Sequence, residues 1–542
     1  MKRCPECRRD YSDETLNFCL DDGVALLDGP AVLSEPVAVA TGGFSDDPTA
    51  IYPKFRVPPS GGFSTDSGSG RTKIFSNAAN SIAVLPFVNI SADVENEFFC
   101  DGLAEELLNA LTKIESLKVA ARTSAFSFKG TNTKVSEIGE ALGVNTVLEG
   151  SVRKAGDRVR IMVQVVNTAD GYHVWSERYD REMNDIFAVQ DEITLAVVEA
   201  LKVNLLQSER SAMLKKATDD PEAYQLYLRG RAFWNRRTPS DFQRAVGYFE
   251  QAIAIDPQYS LAYSGITDCY TLLAYFEEIA PHELREKARA SASNAIELDE
   301  SSAEAHTCTA MYNLIFEFDL AKAEHHFETA IKLNPRFVAA QYLYGTHLAT
   351  RKRFEESFRR GKIALELDPL SLPMNGNVAR SLYVAGRYED AIELAEKTLE
   401  LAPDFFFTHW VLGVSHRQLG NIDKALYHLR KTVSVSGIFA MKGDFGVALA
   451  MAGKEKEARE LLAELETESK TRYVSPQWPA VIHAALGEKE IALQYLEKAC
   501  EVRAIQLLWL GVDPNFDALR SEPEFAEILN RHSMGGLALL NL

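Results

Sequence analysis

The sequence predicts a multidomain chain: a small metal-holding knuckle, an α/β domain whose mixed sheet is covered by helices, and an all-α superhelix of repeated helix pairs. Three observations predict it. Pro335, Pro369 and Pro403 recur every 34 residues and close the phrases AIKLNP, ALELDP and LELAP. Residues 79–206 alternate short apolar runs with amphipathic stretches in the order β, α, β, α, β, β, β, α. Three of the chain's seven cysteines, Cys4, Cys7 and Cys19, crowd into its first 19 residues.

The amino-terminal knuckle comes first. Cys4 and Cys7 are separated by two residues, which lets both thiolates reach one tetrahedral ion. Cys19 supplies the first half of a second pair, and Asp22 stands where the second half is expected. The segment CPECRRDYSDETLNFCLDDG resembles the small zinc ribbon that begins many bacterial regulatory proteins, with the last cysteine replaced by aspartate. The resemblance implies a structural Zn2+ held by Cys4, Cys7, Cys19 and Asp22 across residues 1–29. Four ligands leave no open position for a reacting water. Free thiols are the alternative. A redox pair is disfavoured, because no strand and helix frame Cys4 and Cys7. The basic Lys2, Arg3, Arg8 and Arg9 are balanced by Asp10, Asp13, Glu14, Asp21 and Asp22, which suits a solvated surface better than a nucleic-acid contact.

Residues 30–78 are rich in Gly, Ser, Pro, Asp and Thr and are expected to be a disordered linker. Its DSGSGRTK is not a phosphate-binding loop, since Thr65 stands where the first glycine belongs and Arg71 replaces the lysine.

In the α/β domain, SIAVLPF suits a buried strand, and Asp101 to Leu111 reads as a helix with Leu103, Leu107, Leu108 and Leu111 inward. A strand at Leu117 to Ala121 and a helix at Val135 to Leu142 follow. The runs Thr146 to Arg153 and Arg158 to Asn167 are joined by the turn KAGD, then HVWSERYD adds a strand and a long helix closes the domain. The blocks SIAVLPF, FFCDGLAEELL, ARTSAFSFKG, VLEGSVRKAGDRVRI, GYHVWSERYDR and DIFAVQDEI together resemble the TolB-like amino-terminal domain. That resemblance implies bacterial signalling or regulation and carries no catalytic residues. Asp101, Glu105 and Glu106 are expected to sit at a helix start, where the dipole favours them. His325 and His326, being adjacent, cannot form an i, i+4 ligand pair and are expected at the surface.

The repeats occupy 218–530. Ala323, Phe327 and Ala330 precede Pro335 at the offsets by which Ala245, Phe249 and Ala252 precede Pro257, and Gly345, Ala379 and Gly413 recur where helices cross closely. The period and its small residues resemble the tetratricopeptide repeat, which implies about eight stacked helix pairs with a concave groove. One unit, between Pro257 and Glu300, carries nine extra residues, expected between its helices around Phe276 to His282. Asn515 to Asn530 reads as a capping helix with Leu519, Phe525 and Leu529 on one face. The array is expected to fold from near Lys216 onward without the first 80 residues. Its partner-binding candidates, on the first helix of each repeat, are Gln341, Thr346, Asn375, Asn377, Arg380, His409 and Arg417.

Composition bounds the function. A net charge of −19 disfavours nonspecific nucleic-acid or membrane binding and suits a cationic partner. No run approaches a membrane span, and the basic start MKRCPECRRDYS lacks a following apolar core, so a cytoplasmic location is expected. The resulting expectation is a non-enzymatic bacterial signalling or regulatory adaptor that binds a protein or peptide through its repeat groove. The alternatives are a transcriptional regulator whose ribbon touches nucleic acid, and an enzyme centred on the α/β domain. Oligomeric state is left open.

Overall fold

The computed structural model describes residues 80–532 apart from 92, 94, 95, 278 and 437–440, together with three short strands near the amino terminus. Those strands, β1 (Lys2–Arg3), β2 (Asp10–Tyr11) and β3 (Leu27–Asp28), form an antiparallel sheet in the order β2-β1-β3. They belong to a compact unit, Met1–Asp47, distinct from the unit Pro48–Leu542. Cys4, Cys7, Cys19 and Asp22, and the linker expected at 30–78, lie outside the described residues.

The second unit opens with a six-stranded mixed sheet. Strand β4 (Ser81–Val84) is buried at all four residues, as a parallel strand covered on both faces must be. It pairs in parallel with β6 (Lys118–Val119) and β7 (Thr146–Ala155), and β5 (Val88–Asn89) extends along β7. Strands β8 (Arg158–Asn167) and β9 (His173–Glu182) continue antiparallel, giving the order β6-β4-β7-β8-β9. The β7–β8 hairpin turns at Gly156, whose φ of +59° a side chain would strain. Alternation along β8 buries Val159, Ile161, Val163 and Val165 and leaves Arg158, Arg160 and Met162 exposed.

Helices cover both faces. On one, α1 (Asn96–Thr112) and α4 (Ile186–Ala200) bury Leu103, Leu107, Leu111, Ile186, Val189 and Ile193 against Ile82, Val84 and Leu148. On the other, the short α2 (Arg122–Phe126) packs beside β4, and α3 (Val135–Leu142) lies over Ala83 and Val147. Helix α5 (Gln207–Met213) leads out of the domain. Because α1 begins at Asn96, Asp101, Glu105 and Glu106 are interior to the helix rather than at its start, so the dipole does not compensate them; Lys129 pairs with Asp101, and Arg122 and Arg231 pair with Glu105.

Eight helix pairs follow among the described residues: α6/α7 (Pro221–Arg236, Pro239–Ile255), α8/α9 (Ser260–Tyr275, Pro281–Leu298), α10/α11 (Ala303–Tyr312, Leu320–Leu333), α12/α13 (Val338–Thr350, Phe354–Leu367), α14/α15 (Leu372–Val384, Tyr388–Leu401), α16/α17 (Phe406–Gln418, Ile422–Ser436), α18/α19 (Lys442–Met451, Glu455–Glu468) and α20/α21 (Gln477–Ala485, Lys489–Glu501). The recurring small residues are contact points. A Cβ on Gly230 would lie 2.4 Å from Phe249 and one on Gly265 2.7 Å from the same ring, so Phe249 wedges between α6 and α8. The nine extra residues of the second unit are spread out: α8 has 16 residues and α9 has 18, against 13 and 14 in α12 and α13, and the loop between them is also longer. The capping segment is split into a 3-10 turn, Pro514–Leu519, and α22 (Pro523–His532). Pro523 forces the break, because the residue before a proline avoids helical dihedrals.

The repeats pack on the sheet domain. Helix α1 lies against α6, and one apolar core runs from Leu103 and Leu107 through Tyr224 and Tyr227 to Phe249 and Phe327. A second core joins Phe128, Ile138 and Leu142 to Leu370, Leu372, Phe405 and Phe406. Polar contacts fasten the seam: Ala121 N–H donates to Leu367 O at 3.1 Å, Ser124 N–H to Asp368 Oδ1 at 3.0 Å, and the Arg336 guanidinium to the carbonyls of Leu117 and Glu115. An array cut at Lys216 would bare both cores, so its expected folding without the sheet domain would have to tolerate that exposure. The superhelix also closes on itself. Trp478 Nε1–H donates to Glu277 at 2.9 Å, Arg380 to Tyr275 OH at 2.7 Å, and Arg503 to Phe316 O at 3.0 Å.

Candidate functional site

A cavity of about 1230 Å³ lies between the sheet domain and the first helices of the early repeats, with walls from α1, α4, α5, α6, α8, α10 and α12. Its ion cluster is centred on Glu105. Arg122 Nε reaches Glu105 at 2.6 Å and Arg231 at 2.8 Å, with Asn235 at 3.5 Å. Burial opposes that charge, but the two guanidiniums outweigh it and hold the carboxyl down at about 2. Helix α1 carries the acid between leucines that fix it in the core, and α6 presents Arg231 across the seam. The cluster therefore ties the two domains together.

Two further carboxyls line the same cavity without such help. Burial, reinforced by Glu105, pushes Glu106 up to about 7, and burial pushes Asp268 up to about 6 against the pull of Arg231 and Arg237. Among the described residues, no hydrogen bond or ion pair reaches either side chain. Nearby cations are engaged elsewhere: Lys113 with Ala212 O at 3.0 Å, Lys215 with Asp299 at 2.6 Å, and Arg237 over the Trp234 ring at 3.5 Å. Two buried donors on the wall, Trp234 Nε1 and Thr271 Oγ1, also lack partners. Tyr224, Tyr227 and Tyr259 add aromatic surface. Unpaired carboxylates beside aromatic rings suit a cation.

The residues singled out from the sequence sit on first helices, yet most are buried. Gln341 Nε2 donates to Pro335 O at 2.7 Å, Asn375 Nδ2 to Pro369 O at 3.0 Å, and His409 Nε2 meets Pro403 O at 2.9 Å. His306 repeats the contact with Glu300 O at 3.0 Å. At these four turns one repeat position thus satisfies the preceding carbonyl, and its polarity there has a backbone partner. Arg417, its side chain fully buried, bonds Asn515 at 2.6 Å and Asp444 at 3.3 Å. Arg380 bonds Tyr275 and Asn377 and stacks over Trp509 at 4.0 Å. Thr346 and Asn377, half-buried, donate to Tyr342 O and Pro373 O within their own helices. The packing does not leave this set free as the repeat pattern suggested. His325 is exposed as expected, but His326 lies half-buried with Nδ1 3.0 Å from Nδ1 of His306.

Of the cavity residues, Glu106 was read from the sequence as a helix-start charge, and Asp268 and Trp234 were not singled out. A charged pair inside the leucine-rich LAEELL was the available signal, since two carboxylates flanked by core leucines need an explanation.

Comparisons with known proteins follow the same division of the chain. The profile of the HilA/YgeH-like transcriptional regulator, second domain, matches residues 78–196, and a tetratricopeptide repeat profile matches 319–371 and 379–436. Over 250 residues, 46% of the chain, it is 37% identical to a protein named putative adenylate cyclase 3 from Rhizobium meliloti (strain 1021), covering 42% of that protein. Over 321 residues, 59% of the chain, it is 20% identical to the transcriptional regulator HilA of Salmonella typhimurium (strain LT2), covering 56% of it. The chain spans about half the length of the curated relatives it matches. Among solved structures, the APC/C hetero-tetramer Cut9-Hcn1 aligns with 64% of this chain and 62% of that chain at 14% identity and a TM-score of 0.39. PilW, a type IV pilus biogenesis factor, aligns with 39% and 92% at 19% identity and a TM-score of 0.32. The carboxy-terminal part of the chain carries tetratricopeptide repeats, and the middle part is a mixed sheet with helices, similar to the second domain of HilA/YgeH-like regulators.

Proposed function

We propose that this chain is a non-enzymatic adaptor in bacterial signalling or regulation, and that it takes a cationic segment of a partner protein into the cavity between its sheet domain and its first repeats. The observation that carries the reading is the pair of desolvated, unpaired carboxyls Glu106 and Asp268 facing a cavity with aromatic walls. A lysine or arginine side chain would supply the missing charge, and Trp234 and Thr271 would donate to its backbone. The groove candidates from the sequence enter this reading as the frame that holds the first helices in place, not as the contact surface. A TolB-like identity for residues 81–206, a structural zinc on Cys4, Cys7, Cys19 and Asp22, and a cytoplasmic location belong to the same proposal. Among the described residues, no helix is long and apolar enough to cross a membrane.

The test is calorimetric titration of the full chain with a panel of lysine- and arginine-bearing peptides and their acetyl-lysine or citrulline counterparts. Charged peptides should bind and neutral counterparts should not. Glu106→Gln with Asp268→Asn should weaken binding by about tenfold or more. Binding should also weaken as the pH falls through about 7, where Glu106 takes up its proton. Equal binding of charged and neutral peptides, or of the double variant and the parent, refutes the reading. A second reading, transcriptional regulation, is supported by the HilA/YgeH-like match over residues 78–196. DNA binding by the full chain that falls steeply with salt would favour it. The name of the Rhizobium meliloti relative motivates a third assay, ATP turnover, in which product formation would favour an enzyme.

A further inference from the structure

Strand β9 is an edge of the sheet: β8 pairs along one side of it, and among the described residues no strand pairs along the other. It is ten residues long, and His173, Val174, Ser176, Glu177, Arg178, Arg181 and Glu182 are all exposed. An exposed edge of this length displays a row of unpaired N–H and C=O groups, which natural proteins usually protect with charge. The charges here have an order. Along Glu177, Arg178, Tyr179, Asp180 and Arg181, the sequence reads acid, base, tyrosine, acid, base.

We infer that β9 pairs antiparallel with β9 of a second copy, in the register whose two-fold axis passes through Tyr179. In that register Arg178 lies opposite Asp180 of the second copy, and Glu177 lies opposite Arg181. Each pair occurs twice by symmetry. The faces agree as well. Tyr179, opposite Ile161 of β8, marks the buried face shared by Glu177 and Arg181, and Arg178, opposite Met162, marks the open face shared with Asp180. Opposed residues of an antiparallel pair must share a face, so the axis can move only by whole residues. Moving it to Arg178 sets that arginine against itself, and moving it to Asp180 sets two aspartates together. Of these three registers, only the one centred on Tyr179 opposes unlike charges at 177, 178, 180 and 181, and the pattern that repels foreign strands accepts this one.

The present partners of these side chains are local and exposed, so they can be shared. Asp180 pairs with Arg160 at 2.6 Å and Arg178 at 3.3 Å, and Arg181 with Glu192 at 3.0 Å. Exposed Met162 and Val174, at 48% and 46%, lie on and beside the strand and would be partly covered. A single strand pair is a small interface, so the dissociation constant should be on the order of micromolar.

Sedimentation velocity on the full chain over a concentration series tests the proposal. The parent should show a monomer–dimer equilibrium. Glu177→Arg alone and Arg181→Glu alone, which oppose like charges across the axis, should each raise the dissociation constant about tenfold or more, and the two together should restore it. Thermal melts show whether the variants stay folded. Hydrogen exchange at residues 173–182 of the unmodified chain gives an independent reading, with protection that grows with concentration. A parent that stays monomeric, single variants that dimerise normally, a folded double variant that fails to recover, or concentration-independent exchange at β9 each overturns it.

Discussion

Replacing Glu105 with Gln removes a negative charge that ties the sheet domain to the first repeat. The side chain is 7% exposed, and its partners Arg122 and Arg231 are 23% and 22% exposed, so solvent screens the cluster little. Breaking a buried pair from one side leaves the other charge uncompensated, at a cost of about 3–5 kcal/mol. Glutamine keeps one acceptor for Arg231, and Arg122 and Arg231 keep their ring contacts with Phe126 and Trp234, so the lower end, about 3 kcal/mol, is expected at pH 7. The depressed carboxyl gives the same scale. Its value falls from 4.5 to about 2 on folding, and about 1.4 kcal/mol per unit again yields roughly 3 kcal/mol. Since the folded value is the lower one, the contribution is fully present above about 4.5 and is lost as the pH falls toward 2. Urea unfolding of Glu105→Gln and the parent, followed by tryptophan fluorescence and far-ultraviolet circular dichroism, should show the full difference from pH 5 to 8 and a shrinking one below. Both probes should shift together, because the cluster joins α1 to α6. A difference under about 1 kcal/mol at pH 7 would refute the argument that the cluster is a buried tie. A shift in one probe alone would refute the claim that the two domains unfold as one.

Burial pushes Glu277 up to about 7, so its charge is costly in the folded state above that pH and absent below about 4.5. The melting temperature of Glu277→Gln relative to the parent, read by scanning calorimetry, should therefore rise from pH 5 to pH 8. Gly230→Ala places a Cβ 2.4 Å from Phe249 and should cost about 1–3 kcal/mol, while Gly247→Ala, with nothing within 4 Å, should be neutral or slightly stabilising. Thermal melts of the two distinguish a contact glycine from a tolerated one. Native mass spectrometry should find one zinc per chain on Cys4, Cys7, Cys19 and Asp22, with tighter retention in Asp22→Cys, since thiolate is the softer ligand. A metal-free chain, where a control ribbon keeps its ion, rejects the site.

Local pattern was the part of this molecule most legible in its sequence. The alternation of Val159, Ile161, Val163 and Val165 marked β8, the run SIAV marked a strand buried on both faces, and the spacing of Ala323, Phe327 and Ala330 marked the helix crossings. Such signals arise within one element and survive whatever packs around it. The seam between the domains left no comparable mark. Ala121, Ser124 and Asp368 meet across more than two hundred residues, and none departs from what its own helix or turn would carry in isolation. An apolar residue covered by another repeat and one covered by a sheet domain look alike in sequence, so the packing of the repeats on the sheet domain was hidden.

The burial of most groove candidates follows from the same limit, and it shows how a periodic polar residue should be weighed. Gln341, Asn375 and His409 recur at the 34-residue step, and a polar residue at a fixed place on each first helix reads naturally as a lining for ligand. Four of the turns between helix pairs, however, also present a carbonyl to the first helix that follows, and at Pro335, Pro369 and Pro403 that carbonyl recurs at the same step. A buried carbonyl without a donor costs more than the donor's side chain loses by being ordered. Amide and imidazole groups six residues on are long enough to reach it, which is the contact seen at Pro335, Pro369, Pro403 and Glu300. Periodicity thus argues for a role common to every repeat, and only the backbone is common to every repeat. A ligand is not periodic, and the residues that answer to one should break the pattern. Glu106 and Asp268 do so: one lies outside the array, and the other lies on the lengthened α8.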